Sequence, residues 1–466
     1  MKAPEWRQNV LLVSADPEIK LAVFPAFGKE THFITAQSTE EAIAQLDASP
    51  IHVIIIDTKT TNPNRQFYDQ YYDEKEEMLF IELSQYASQK NHGLTTILLV
   101  NKLLAKQSDF ARKCGAMLIM DRKNILMNRM LYLIGILRKR TFRTILSRDI
   151  PEGSVFSVDL YHYLSLSERY AVFLQAGVPF SLEKMDKIHL SNIRHLYVQE
   201  SDLGSCLSVL RGTGESLLYS ESLSSIRNQY RQLLIQIFDI STDGMMHFGK
   251  EIYEKGLEIT SQLEKLIARF PDSSASLREL PYPRWSGIAH SINCGIYAII
   301  FSKHCHLEPT NEIAFAAMIH NVGFSEIDQG LLRKNETELT AEELVEYKKH
   351  VTISLELLRK KLLPFTPLIE RIILHHHENF DGTGFPDGLA GENLPLECAL
   401  VSILGSFDYF NTVRPGQKPT SAFEAWQLLK KHHGDATELN KKFHPKLLAQ
   451  IDEFFVSKFP EFQKKK

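Results

Sequence analysis

At 466 residues the chain is about three times a typical domain of roughly 150 residues, so about three units are expected. Hydrophobic residues at 44% and charged residues at 24% exclude a disordered or fibrous chain. The 53 Lys and Arg against 57 Asp and Glu leave a formal charge of -4, too even a balance for a basic nucleic-acid or membrane-binding surface.

The five cysteines, Cys114, Cys206, Cys294, Cys305 and Cys398, are scattered and form no CxxC. That argues against a disulfide framework and for a reducing, cytoplasmic setting. The opening MKAPEWRQNVLLVS has no apolar run of signal-peptide type, and no stretch approaches the length of a membrane span. Neither a membrane nor a nucleic-acid polymer is an expected partner.

Residues 1–125 alternate short apolar runs with helical patterns. NVLLVS (9–14), HVIIID (52–57), TTILLV (95–100) and AMLIMD (116–121) read as buried parallel strands, and TEEAIAQLDA and FIELSQYASQ as helices between them. Such βα alternation predicts a doubly wound α/β sheet, with chemistry in the loops at the carboxyl ends of its strands. This order, with Asp57 closing the HVIIID run, resembles a response-regulator receiver. The resemblance makes Asp57 the phosphoacceptor candidate. It also implies an acidic pair for Mg²⁺ after the first strand, where this chain has Ser14 and Ala15 followed by Asp16. The receiver hydroxyl aligns with Val100 or Asn101, and its lysine with Arg122 or Lys123. Without the acidic pair a phosphoryl group lacks its main charge neutraliser, so a pseudo-receiver that dimerises or binds a partner is the expectation.

Residues 126–149, containing LMNRMLYLIGILRKR, read as a connecting helix ending in basic residues that suit a helix C-terminus. Residues 150–212 change to short strands around a Gly177-Val178-Pro179 turn and one helix, a small α+β module. This module is similar to a region found ahead of the catalytic domain in a subset of the family named below. Its Tyr161, Tyr163, Tyr170 and Tyr197 are expected to pack a core more readily than to line a pocket. Residues 213–280 keep helical spacing and read as a helical connector or packing bundle. The Pro- and Ser-rich PDSSASLRELPYPRW (271–285) marks a boundary, after which 281–460 is helix upon helix.

The stretch HHHENFDGTGFPDGLAGENLP (375–395) resembles the HD-GYP signature, carrying its HHE, DG, GYP, GL, G and IP elements in order and spacing. Other pieces fall in family order over 285 to about 455: AHSIN with His290, AAMIHNVGF with His320, YKKHVTIS with His350, and SAFEAW. The resemblance implies an all-α domain of the HD superfamily that hydrolyses cyclic di-GMP at a metal cluster of Fe or Mn type. Cleaving an anionic diester calls for a hydroxide nucleophile and neutralisation of charge, which paired metals supply. The family's histidine ligands map onto His290, His320, His350, His376 and His377.

Its carboxylates do not map. The HD pair reads His320-Asn321, the late Asp aligns with Gly405, the lysine after the HD pair is Phe324, and an acidic residue before the first His is Ser286. The loop of Asp381, Gly382, Gly384, Phe385 and Pro386 is retained, with Phe385 in place of tyrosine. In the family it handles substrate and contacts diguanylate cyclases. These departures predict a metal site of reduced stoichiometry in a catalytically impaired regulator that binds cyclic di-GMP or a protein partner, with a homodimer as a further possibility. The alternatives are a divergent phosphodiesterase completed by Glu378, Asp381 or Asp408, and a scaffold that binds no nucleotide.

Overall fold

The computed structural model describes residues 8–27, 31–57, 83, 86–87, 94–100, 116–126, 142–164, 169–191, 193, 195–199, 202, 205–206, 208–210, 213–239, 243–269, 277, 287–332, 334, 338–412, 420–434 and 436–458. Five strands, β1 (Gln8–Val13), β2 (Thr31–Ala36), β3 (Val53–Asp57), β4 (Thr95–Val100) and β5 (Leu118–Asp121), form a sheet in the order β2-β1-β3-β4-β5. Every pairing is parallel. The strands read as near-continuous apolar runs because both faces are covered. Val10, Leu12, Val53 and Ile55 share a core with Ile19, Val23 and Phe27 of the helix Pro17–Phe27. Their alternates Leu11, Val13, Ile54 and Ile56 pack with Ala42 and Leu46 of the helix Thr39–Ala48. The strand order reverses between β1 and β3, and Asp57 stands at the end of β3 in the crevice where such sheets bind ligands. β2 was not among the expected strands. As an edge strand it is largely half-exposed, and its THFITA sequence lacks the apolar run that marks the others.

A second, antiparallel sheet has the order β6-β9-β7-β8, from β6 (Phe142–Leu146), β7 (Leu160–Leu164), β8 (Arg169–Leu174) and β9 (His195–Gln199). The helix Leu182–Leu190, capped by Ser181, closes a core that includes Ile145, Phe156, Leu160, Phe173, Phe180 and Leu196. Residues 126–149 are therefore not one connecting helix. Phe142–Leu146 is a strand whose Phe142 lies opposite Gln199, so the small module begins before residue 150. The β-branched Thr144 and Ile145 favour that pairing. Tyr170 of β8 meets Tyr163 of the adjacent β7 and Tyr197 of β9, one strand further, edge to face, with ring centroids 5.2 and 5.1 Å apart.

Most of the remaining helices share one core. Thr213–Phe238 and Met246–Ile267 contribute Leu233, Leu234, Ile259 and Leu263 to the same apolar cluster as Gly287–His304, Thr310–Ile319, Leu396–Asn411 and Pro445–Lys458. A methyl group on Gly256 would lie 2.1 Å from Phe315 Cε2, so this helix approaches its neighbour to a distance only glycine permits. The buried Lys361 ammonium donates to the Asp239 carbonyl and lies 2.6 Å from Asp243 Oδ1. Of the two expectations for residues 213–280, a connector or a packing bundle, the second describes it: two of its helices pack into the C-terminal bundle, which starts before residue 281. Arg231 Nη2 also donates to Thr95 Oγ1 at 3.1 Å, tying the first of these helices to the parallel sheet. No helix among the described residues is long and apolar enough to cross a membrane.

Candidate metal centre

The bundle brings all five predicted histidines together. The helix Pro367–His375 starts with Thr366 as cap and Pro367 in its first turn, and it buries Ile369, Ile372 and Ile373. That amphipathic register leaves His376 and His377 at its carboxyl end, facing inward. His290 lies on the helix Gly287–His304, His320 follows Thr310–Ile319, and His350 opens His350–Lys360. Ring centroids run 5.4 Å from His290 to His320, 4.6 Å from His320 to His376, 4.4 Å from His376 to His377 and 4.9 Å from His377 to His350.

Backbone and carboxylate partners fix how these rings face. His320, His350 and His376 each turn Nδ1 to the carbonyl three residues earlier, on Ala317, Tyr347 and Ile373, at 2.7, 2.7 and 2.9 Å. Each Nδ1 therefore donates, and each Nε2 keeps a lone pair. His350 Nε2 and His376 Nε2 are buried without a hydrogen-bond partner. His290 Nδ1 lies 2.9 Å from Asp408 Oδ2, which leaves its Nε2 toward the cluster. An oriented imidazole with a carboxylate or carbonyl behind it and an orphaned nitrogen in front is the arrangement of a metal ligand. The residues fit a transition-metal ion in this respect.

Burial disfavours charge on these rings. It pushes His320, His376 and His377 well below the ordinary histidine value, helped by neighbouring imidazoles. Burial lowers His350 to about 4. In the metal-free protein at neutral pH these rings are neutral and available as ligands.

Among the described residues two groups have donor atoms all within 4.8 Å of one another, His290 with Cys294 and His320, and His350 with His376 and His377. Neither contains a carboxylate. Asn321 is buried beside His290, its Nδ2 3.3 Å from His290 Nε2 and its Oδ1 without a partner. A methyl group on Gly405 would lie 3.9 Å from His290 Cε1 with no other atom within 4 Å, so a side chain there would point at the cluster into open space. Phe324 stacks on His350 at 4.0 Å and 22°, an apolar cover where the family resemblance implies a lysine. The carboxylates named as substitutes are committed elsewhere. Glu378 accepts the backbone amides of Asp387, Gly388 and Leu389, Asp381 accepts from Thr383, and Asp408 holds His290, Asn293 and Tyr297. Asp408 therefore orients a ligand without facing the cluster's centre.

The loop after the histidines is rigid. Gly382 has φ of 80°, and a methyl group on Gly384 would lie 2.3 Å from the Asn379 nitrogen, so both positions require glycine. Phe385 donates its amide to the His377 carbonyl at 3.2 Å and stacks on that imidazole at 4.7 Å. Lys348 Nζ lies 5.0 Å from the Phe385 ring centroid, and Pro386 is exposed. Two features escaped the sequence reading, the thiol of Cys294 and the role of Asp408. The HxxxC spacing from His290 to Cys294 on one helix face was a signal for the first.

At the switch point of the parallel sheet, Asp57 is fully buried. It accepts from Ser14 Oγ at 2.8 Å and from Arg122 Nε at 3.2 Å, and Arg122 Nη2 also bonds Asp16 Oδ2. A guanidinium therefore lies between the two carboxylates. Lys123 is exposed, with its backbone amide on Asp121, so Arg122 is the residue that meets Asp57. Asn101 and Ser286 lie outside the described residues.

A family model described as an HD domain matches residues 301–437. The C-terminal region of this chain is thus an HD domain. Its curated relatives include the cyclic di-GMP phosphodiesterase response regulator RpfG of Xanthomonas campestris pv. campestris, 36% identical over 121 residues, which are 26% of this chain and 30% of that protein. A cyclic di-GMP phosphodiesterase of Thermotoga maritima is 36% identical over 116 residues, 25% of this chain and 31% of that protein. The chain thus matches about a third of the length of these relatives. A solved structure, Bd1817, a HDG"Y"P protein from Bdellovibrio bacteriovorus, overlaps with a TM-score of 0.37 at 14% identity, covering 68% of this chain and 99% of that one.

Proposed function

We propose that this chain is a cyclic di-GMP signalling protein whose degenerate HD domain holds one transition-metal ion. In this reading it binds cyclic di-GMP or a protein partner such as a diguanylate cyclase, with hydrolysis strongly impaired. The observation that carries this is a buried cluster of five imidazoles, two with orphaned Nε2 atoms, in which Asn321 and Gly405 stand where the family resemblance implies carboxylates. Two divalent ions about 4 Å apart repel by roughly 17 kcal/mol at an effective dielectric of about 20. Neutral imidazoles and an amide cancel none of that, so one ion is favoured over two. An ion bound here would supply Lewis acidity, and Fe or Mn suits the imidazole donors. The rigid loop from Asp381 to Pro386 offers Phe385 as a stacking face and Lys348 as a cation for an anionic nucleotide or an acidic partner surface.

The sheet domain supports a pseudo-receiver. Arg122 already provides positive charge of the kind a divalent ion would bring to Asp57, and its guanidinium bridges Asp57 and Asp16.

Turnover of cyclic di-GMP by anaerobically purified, Fe- or Mn-loaded chain, followed by product chromatography beside equilibrium binding, tests the reading. Nucleotide binding is expected with turnover no higher than in His376→Ala. Turnover that the variant lacks restores the phosphodiesterase alternative, and absence of both binding and turnover leaves the scaffold.

A further inference from the structure

We infer that Cys294 is a thiolate ligand, forming a mixed sulfur and nitrogen site with His290 and His320 that the bound ion prefers to the all-imidazole group. The inference rests on the metal reading above and assigns the ion to one end of the cluster. Cys294 follows His290 by four residues on Gly287–His304, so both side chains project from one face. Its Sγ lies 3.7 Å from His290 Nε2, and all three donors fall within 4.8 Å. A tetrahedral ion bound by sulfur at about 2.3 Å and nitrogen at about 2.05 Å holds the two donors about 3.5 Å apart. The metal-free spacing is already close to that.

A buried cysteine ordinarily acts as a small apolar side chain. Cys294 differs in what surrounds its sulfur. It lies 3.8 and 3.7 Å from Nδ1 and Nε2 of His290, and that Nε2 also meets the buried Asn321, whose Oδ1 lacks a partner. A half-turn of the Asn321 amide exchanges its two ends and brings Oδ1 to where Nδ2 now lies, 3.3 Å from His290 Nε2, as a neutral fourth donor. The space left by Gly405 opens on the same ring. The His290 side chain is 15% exposed, giving an ion a way in from solvent.

Charge decides between the two groups. The group of His350, His376 and His377 is neutral, whereas Cys294 becomes an anion when its proton leaves to solvent as the ion binds. A thiolate in the group next to Gly405 restores one negative charge of the kind the missing carboxylate would supply. It also changes the metal preference. Sulfur with imidazole selects zinc, cobalt or ferrous iron over manganese.

The test is a cobalt(II) titration of the metal-stripped full chain under anaerobic conditions, with bound cobalt counted by elemental analysis. Wild type is expected to show the near-ultraviolet sulfur-to-cobalt charge-transfer band. Cys294→Ser and Cys294→Ala should bind cobalt through imidazole without that band, while Cys398→Ser and His350→Ala keep it. Bound cobalt without the band, or a band that survives both Cys294 variants, overturns the thiolate assignment and leaves the metal reading standing. No bound cobalt in wild type overturns both.

Discussion

The two sites of this protein depart from their family resemblances in opposite ways. At the switch point of the parallel sheet the implied acidic pair is missing, and a guanidinium takes the place of the cation between Asp57 and Asp16. In the helical bundle the implied carboxylates are missing, and orphaned imidazole nitrogens remain turned toward a common centre. The first site is satisfied from within the chain, so an added ligand gains little there. The second leaves the buried Nε2 lone pairs of His350 and His376 uncompensated, so no hydrogen bond among the described residues fills it. Where the acidic residues implied by resemblance are absent, the gap is filled if a basic side chain reaches it, as Arg122 does, and stays open if none does.

That contrast can be broken most forcefully at Arg122, whose side chain is 6% exposed against a fully buried Asp57. Arg122→Ala takes the guanidinium away from a buried carboxylate and is expected to lower unfolding free energy by about 3–5 kcal/mol in chemical denaturation. Adding Asp57→Asn should recover much of the loss, and a single variant as stable as wild type would refute the closed-site account. At the open site, Asp408→Asn replaces the acceptor that sets the His290 tautomer. Cobalt affinity should fall about 10–100-fold with the fold intact by circular dichroism, and an unchanged affinity would remove Asp408 from the centre.

The smallest effect concerns pH. His350 is lowered from 6.5 to about 4, and His320, His376 and His377 are also lowered. As pH falls below about 6.5 the unfolded chain takes up protons that the folded chain refuses. Stability contributed by these neutral rings is complete above that value and is lost on the way down toward about 4. The melting temperature of metal-stripped protein should therefore drop by on the order of a few degrees between pH about 7 and about 5. A flat profile would mean that the rings titrate normally.

The clustering of the bundle's histidines was more legible in the sequence than the bundle's extent. The run HHHENFDGTGFPDGL and the separate histidines identified the residues that the fold gathers, because each stands in a recognisable local pattern. What joins them is not local. Asp408 reaches His290 across 118 positions, and Arg122 reaches Asp16 across 106, distances that no periodicity reports. β2 was hidden because an edge strand buries too little to read as an apolar run, and β6 because LRKRTFRTIL continues a helical pattern into a segment that β9 draws into a sheet. Cys294 was legible as a position four residues after His290, but composition treats a buried cysteine as core. The two helices of residues 213–280 read equally as a connector or a packing bundle because amphipathic spacing does not say which surface the apolar face will meet.

Gly256 beneath Phe315 has a consequence for how the chain can be divided. The boundary drawn by family likeness, at residue 301, passes through the bundle's interior, because a layer of its core comes from helices earlier in the chain. A fragment begun there would carry Phe315 and Met318 as bare apolar surface. A fragment that keeps this packing reaches back to the helix Thr213–Phe238, so residues 301–437 are only part of the packed bundle.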